Sequence, residues 1–188
     1  MSYYDENAQA FIDNTLNIDM AELYSKFIEK LPAKGMILDI GCGPGRDLNY
    51  FYKNGFRAIG LEPSEELASF ARKYSNCEVI GTTIQNFESN QLFDGIWACA
   101  SLLHLESSIL IESFKKVSGM MNDNSVFYCS FKLGDFEGYR NGRFFNDQTL
   151  ESISKILPLE LKISEHWITE DLRPDRNEQW LNLIIRSS

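Results

Sequence analysis

The order of elements written into this chain predicts an α/β protein: a three-layer αβα sandwich on a mainly parallel, seven-stranded sheet that ends in an antiparallel strand hairpin. Three observations carry that reading. Short apolar runs alternate with stretches of helical spacing, in the order β-α-β-α-β-β-α-β-α-β-β after a helical N-terminus. A Gly-rich turn joins the first run to the helix that follows it. The last two runs are joined by a loop without a helix, which makes them antiparallel neighbours rather than another parallel crossover.

Between Asn7 and Leu31, Phe11, Ile12, Leu16, Met20, Leu23, Phe27 and Leu31 recur at helical spacing, compatible with two helices, and Pro32 ends them. Met36 to Ile40 is the first strand. A helix from about Arg46 to Asn54 stops at Gly55, and Arg57 to Leu61 is the second strand. Ser64 is placed to cap a helix reaching Tyr74, with Glu65 and Glu66 suited to the positive end of its dipole. Cys77 to Ile80 and Gly95 to Cys99 are the third and fourth strands, Ile109 to Met121 a helix, and Val126 to Phe131 a fifth strand. Asp147 is read as the N-cap of a helix to Leu157. Leu159 to Thr169 and Trp180 to Arg186 close the chain.

Composition narrows the function. A chain of 188 residues hides enough surface for one domain, with no need of a disulfide or metal staple. Its 18 basic and 27 acidic residues give a net charge of −9, which argues against nucleic acid or an anionic membrane as partner. No apolar run reaches the ~18–20 residues of a membrane span, and Met1 to Glu6 lacks the basic start of a secretory leader, so the expected location is cytoplasmic. Cys42, Cys77, Cys99 and Cys129 are widely spaced and only two histidines occur, which predicts reduced thiols and no metal site.

The most informative stretch is Asp39-Ile40-Gly41-Cys42-Gly43-Pro44-Gly45-Arg46. An acid ends the strand, and a G-x-G-x-G turn opens a helix, where glycines let backbone approach a ligand. A tight turn without a ligand is the alternative. The dinucleotide fingerprint G-x-G-x-x-G requires a glycine where Arg46 stands, and no G-x-x-x-x-G-K-[ST] loop occurs. Glu62 closes the second strand about 20 residues after Gly41, where an acid accepts from the two hydroxyls of a ribose.

These segments resemble the class I S-adenosylmethionine-dependent methyltransferases. Asp39 to Gly45 is similar to that family's D-x-G-C-G-x-G motif, and Leu61-Glu62-Pro63-Ser64 to its ribose-binding acid. Thr82 to Phe87 sits where the family has an acid-containing turn over the adenine, and Phe93 to Leu105 matches its F-D-x-V…L-H-H-L segment. The likeness covers about residues 35–135. The resemblance implies a Rossmann-like sandwich and S-adenosylmethionine as cofactor, with binding residues Asp39, Gly41, Cys42, Gly43, Gly45, Arg46, Glu62, Pro63, Thr83, Ile84 and Ala100. Thr83 departs from the family, which usually has an acid there. Asp39 is expected to meet the ammonium. Arg46 is a candidate for the carboxylate, its alternative being an exposed helix residue.

The resemblance also divides the single domain into a helical N-terminal lid (1–34), a cofactor-binding half (35–135) and a substrate-side half (136–188). Tyr3, Tyr4, Asp5 and Asn7 then either fold over the cofactor or form a frayed end with one packed tyrosine. His104 is the candidate catalytic group, a general base if the acceptor must lose a proton, with packing or helix capping as the alternative. Lys132, Arg140, Arg143, Arg173 and Arg176 lie in loops at strand ends and are candidates for gripping an anionic small-molecule substrate. Asp135, Glu137, Glu170, Asp171, Asp175 and Glu178 share those loops, so internal ion pairs are the competing account. The expected function is methyl transfer to a small molecule. Its rivals are a non-catalytic S-adenosylmethionine-binding sensor or scaffold and, less favoured by the glycine spacing, a nicotinamide oxidoreductase.

Overall fold

In the computed structural model, residues 3–173 and 176–188 are described, Tyr3 by its backbone alone; Asp175 lies outside them. Three short helices come first: α1 (Tyr3–Glu6), α2 (Ala8–Thr15) and α3 (Ala21–Ile28). Then follow β1 (Met36–Ile40), α4 (Arg46–Lys53), β2 (Arg57–Leu61), α5 (Glu65–Ser75), β3 (Glu78–Ile80) and β4 (Phe93–Ala98). A 3₁₀ turn (Leu102–His104) leads to α6 (Ser107–Gly119) and β5 (Met121–Lys132). A hairpin of β6 (Glu137–Arg140) and β7 (Arg143–Asn146), α7 (Leu150–Ile156), β8 (Leu161–Glu170) and β9 (Gln179–Ser187) complete the chain.

The main sheet has seven strands in the order β3-β2-β1-β4-β5-β9-β8. Strands β1 to β5 pair in parallel, and β9 runs antiparallel to both β5 and β8. This is the expected fold class. Chain order reverses between β1 and β4, which opens a crevice at their carboxyl ends.

Alternation along the central strands builds the two helix-covered faces. Leu38, Ile96, Ala98, Phe127 and Cys129 pack on one side with Leu110, Phe114, Val117 and Ile153 of α6 and α7. Ile37, Trp97, Val126 and Tyr128 pack on the other with Leu23, Tyr24, Phe27 and Phe51 of α3 and α4. Because successive side chains point to opposite faces, neighbouring residues of one strand enter different cores.

Two local readings are corrected. Asp147 does not cap α7. Thr149 does, in a reciprocal capping box with Ser152, while the Asp147 carboxylate is ion-paired to Arg140 at 2.7 Å. The segment read as an irregular loop after β5 contains the β6–β7 hairpin. Asn141 and Gly142 supply its two positive φ angles, 50° and 78°, as a two-residue primed turn requires.

Candidate functional site

The turn after β1 owes its shape to backbone bonds. The N–H groups of Gly41 and Cys42 donate to the Leu61 carbonyl at 2.8 and 3.0 Å, tying the turn to the end of β2. Gly41 has φ 70°, and a Cβ added there would stand 2.6 Å from the Ser101 Cβ. A Cβ on Gly43 would meet the Phe11 ring at 3.2 Å. The glycines thus leave a cradle that side chains would fill. Gly45 serves packing instead, since a Cβ there would reach the Ala71 backbone of α5 at 3.1 Å.

Glu62 is buried, and both its oxygens are engaged from behind. Gly43 N–H donates to one and Ser64 N–H to the other, each at 2.9 Å. A carboxylate has about four lone-pair sites, so each oxygen keeps capacity for a ligand donor. Burial raises the Glu62 carboxyl above its usual range, against those two amide bonds. Asp39 is buried at the end of β1, and its Oδ2 has no hydrogen-bond partner among the described residues. Burial first, then the neighbouring Asp47 and Glu62 charges, push it well above the ordinary carboxylate range.

Arg46 is not a free helix residue. Its Nε and Nη2 donate to the two oxygens of Asp47 at 2.6 and 3.1 Å, and its Nη1 to the Thr15 carbonyl at 3.3 Å. Asp47 also accepts from Tyr24 Oη and, at 2.8 Å, from Trp97 Nε1. Burial acts to raise the Asp47 carboxyl, but the Arg46 guanidinium and these donors outweigh it and hold it low. Sequence reading missed Asp47 altogether. The available signal was the spacing that puts it on the inner face of α4 with Leu48 and Phe51.

One cavity of about 340 Å³ opens at the crevice between β1 and β4. It is lined by Gly41, Cys42, Gly43, Arg46, Glu62, Pro63, Thr83, Ile84 and Ala100, together with His104, Lys132, Arg143, Arg173 and Arg176. Among the expected site residues, Asp39, Gly45 and Arg140 do not line it. Arg140 stacks on the Phe136 ring at 3.8 Å as well as pairing with Asp147. Thr83 begins a turn in which its carbonyl accepts from Asn86 and Phe87 N–H at 3.2 and 3.0 Å.

His104 sits between the N-terminal segment and the hairpin. Its Nδ1 lies 2.7 Å from the Phe144 carbonyl, which can only accept, so Nδ1 carries the proton. Nε2 then has the lone pair and accepts from Tyr4 Oη at 2.8 Å. Burial lowers the imidazole to about 4, so it is neutral near pH 7. Asp5 meanwhile accepts from Ser64 Oγ at 2.6 Å, which ties the N-terminal segment to the start of α5, and Tyr4 lines the cavity.

The basic residues on the far wall have acidic companions. Lys132 pairs with Glu178 at 2.7 Å and Arg176 shares that carboxylate at 3.6 Å. Arg173 is bidentate to Asp171. Burial opposes ionisation of Asp171, yet the bonds from Arg173 and Trp180 hold its carboxyl down at about 2. The four cysteines are free thiols, and among the described residues no cluster of His, Cys, Asp and Glu suits a metal.

Comparison with known proteins agrees with this geometry. A family model described as a methyltransferase domain matches residues 12–180. The Bacillus subtilis protein YqeM, which carries a methyltransferase name, is 33% identical over 124 residues, 60% of this chain and 50% of its own length, so the match spans half of that relative. Many solved structures share the fold, among them two methyltransferases with S-adenosylhomocysteine bound. The Burkholderia thailandensis 1,6-didemethyltoxoflavin-N1-methyltransferase, with 1,6-didemethyltoxoflavin and S-adenosylhomocysteine bound, has a TM-score of 0.79 at 18% identity, over 98% of this chain and 84% of that one. The N-methyltransferase NodS of Bradyrhizobium japonicum, with S-adenosylhomocysteine, has a TM-score of 0.75 at 16% identity over 97% of each chain.

Proposed function

This chain belongs to the class I S-adenosylmethionine-dependent methyltransferases, and from that premise we propose that it transfers a methyl group from S-adenosylmethionine to a small-molecule acceptor. The observation that carries the reading is the convergence of Glu62, the Gly41–Gly43 cradle, Thr83, Ile84 and Ala100 on one cavity at the switch point of the sheet. The residues present fit the cofactor: the cradle is one a Cβ would fill, and Glu62 lines the cavity with a lone pair to spare on each oxygen.

When bound, S-adenosylmethionine supplies an electrophilic methyl on a sulfonium. The chain's own part is to hold and align. Glu62 uses its remaining lone pairs for the ribose hydroxyls, and Asp39 favours the ammonium, directly or through water. Arg46 donates three N–H bonds to Asp47 and Thr15, which leaves two of its five N–H groups for a carboxylate. Thr83 and Ile84 border the adenine, the Thr83 hydroxyl standing in for the usual acid, and Cys42, Gly45 and Pro63 shape the surrounding backbone. Helices α1 and α2 act as a lid that excludes water, which strengthens every polar contact beneath it.

The acceptor faces the wall formed by β5, the β6–β7 hairpin and the β8–β9 loop. Lys132, Arg143, Arg173 and Arg176 line that wall, with Lys132 and Arg176 paired to Glu178 and Arg173 to Asp171, so an acceptor with an anionic group binds there by sharing or displacing those carboxylates. A small acceptor is in keeping with the Burkholderia enzyme of the same fold. His104 Nε2 already accepts from Tyr4 Oη, so it takes a proton from an acceptor that must lose one only when Tyr4 yields that place or relays the proton through its own hydroxyl. Isothermal titration with S-adenosylhomocysteine, followed by transfer of labelled methyl to a metabolite pool, tests the proposal. Binding with turnover supports it. Binding without turnover points to a sensor or scaffold, and no binding removes the cofactor assignment.

A further inference from the structure

We infer that Ser101 is a further ligand-binding residue of this cavity, its hydroxyl bonding the amino-acid end of the cofactor; the inference rests on the function proposed above. Ser101 Oγ is buried and has no hydrogen-bond partner among the described residues, although the side chain lines the cavity. A buried hydroxyl without a partner is costly, and native proteins rarely keep one. Alanine would fill the same space without that cost, so the hydroxyl needs an occasional partner to explain its presence.

Three features aim it at one place. Ala100, just before it, adopts φ 51°, a left-handed conformation unusual for a side-chain-bearing residue and concentrated at functional sites. That conformation is held by the Ala100 N–H, which donates to Ser130 Oγ at 2.9 Å on β5. Ser101 in turn packs on the Gly41 turn so closely that a Cβ at position 41 would lie 2.6 Å from its own Cβ and 3.3 Å from its Oγ.

Asp39 Oδ2, one residue before the end of β1 and close to that same turn, also has no partner among the described residues, but it is buried off the cavity lining. The Ser101 hydroxyl, on the segment after β4, is an orphaned atom on a side chain that lines the cavity beside Gly41. A ligand end carrying an ammonium and a carboxylate, placed beside Gly41, gives that hydroxyl a partner. An adenosine end, held by Glu62 and the Thr83 turn, leaves it unmatched.

The test compares Ser101→Ala with wild type by titration calorimetry, using S-adenosylhomocysteine and 5′-methylthioadenosine, which lacks the amino-acid end. Ser101→Ala should weaken S-adenosylhomocysteine about tenfold, leave 5′-methylthioadenosine within about twofold, and leave the ligand-free melting temperature unchanged or higher. Ser101→Thr, which keeps the hydroxyl, should retain more of the affinity than alanine. Unchanged S-adenosylhomocysteine affinity, or equal loss for both ligands, overturns the assignment of Ser101. Failure of the wild type to bind S-adenosylhomocysteine overturns instead the function on which it rests.

Discussion

Replacing Asp47 by alanine should be among the most damaging single changes outside the apolar core. The carboxylate is buried and receives four hydrogen bonds, two from Arg46 and one each from Tyr24 and Trp97. Its removal leaves a largely buried guanidinium without a counter-charge, and removing one partner of a buried pair costs about 3–5 kcal/mol. For a domain of this size that corresponds to a fall of roughly 6–20 °C in melting temperature. Adding Arg46→Met should recover about 1 kcal/mol or more, because no buried charge is then left unpaired. Urea denaturation of the wild type, the single variant and the double variant reads these differences. A loss below about 1 kcal/mol for Asp47→Ala, or a double variant no better than the single one, refutes the reasoning.

Other consequences are as direct. Gly41→Ala forces a Cβ into the Ser101 side chain at φ 70°, so it should cost about 2 kcal/mol and weaken S-adenosylhomocysteine binding, read by melting and by titration. Glu62→Gln keeps the shape but not the charge; affinity for S-adenosylhomocysteine should fall about tenfold or more, and unchanged affinity would remove Glu62 from the site. His104 is held at about 4, below its unfolded value near 6.5, so the folded state binds fewer protons in that window. Its contribution is present above pH ~6.5 and is lost as pH falls towards ~4, amounting to about 3 kcal/mol. His104→Gln should flatten that part of the stability profile, and an unaltered profile would contradict the burial argument.

The parts of this molecule governed by local rules were readable in the sequence. Short apolar runs at Met36–Ile40 and Arg57–Leu61 became strands, and Ser64 became the N-cap of α5, its hydroxyl accepting from Leu67 N–H. The Gly-rich turn with Glu62 pointed to the cavity because both are short-range features separated by one βα unit. What escaped reading depends on partners distant in the chain. Asp47 drew no reading from the sequence because its partners Trp97 and Tyr24 meet it from distant parts of the chain. Arg140 looked like a substrate cation until the hairpin turned it onto Asp147. That hairpin did have a local signal, Asn141-Gly142 between aromatic residues, overlooked because its strands are only four residues each. The Ser101 hydroxyl has no sequence signature, since only burial distinguishes an orphaned serine from a solvated one.

A crystal structure of the chain with S-adenosylhomocysteine tests the central claim most directly. The ribose hydroxyls should lie within hydrogen-bond distance of Glu62, with the adenine beside Thr83 and Ile84 and the amino-acid end beside Gly41. A ligand whose ribose lies away from Glu62, or that binds outside this cavity, contradicts the account.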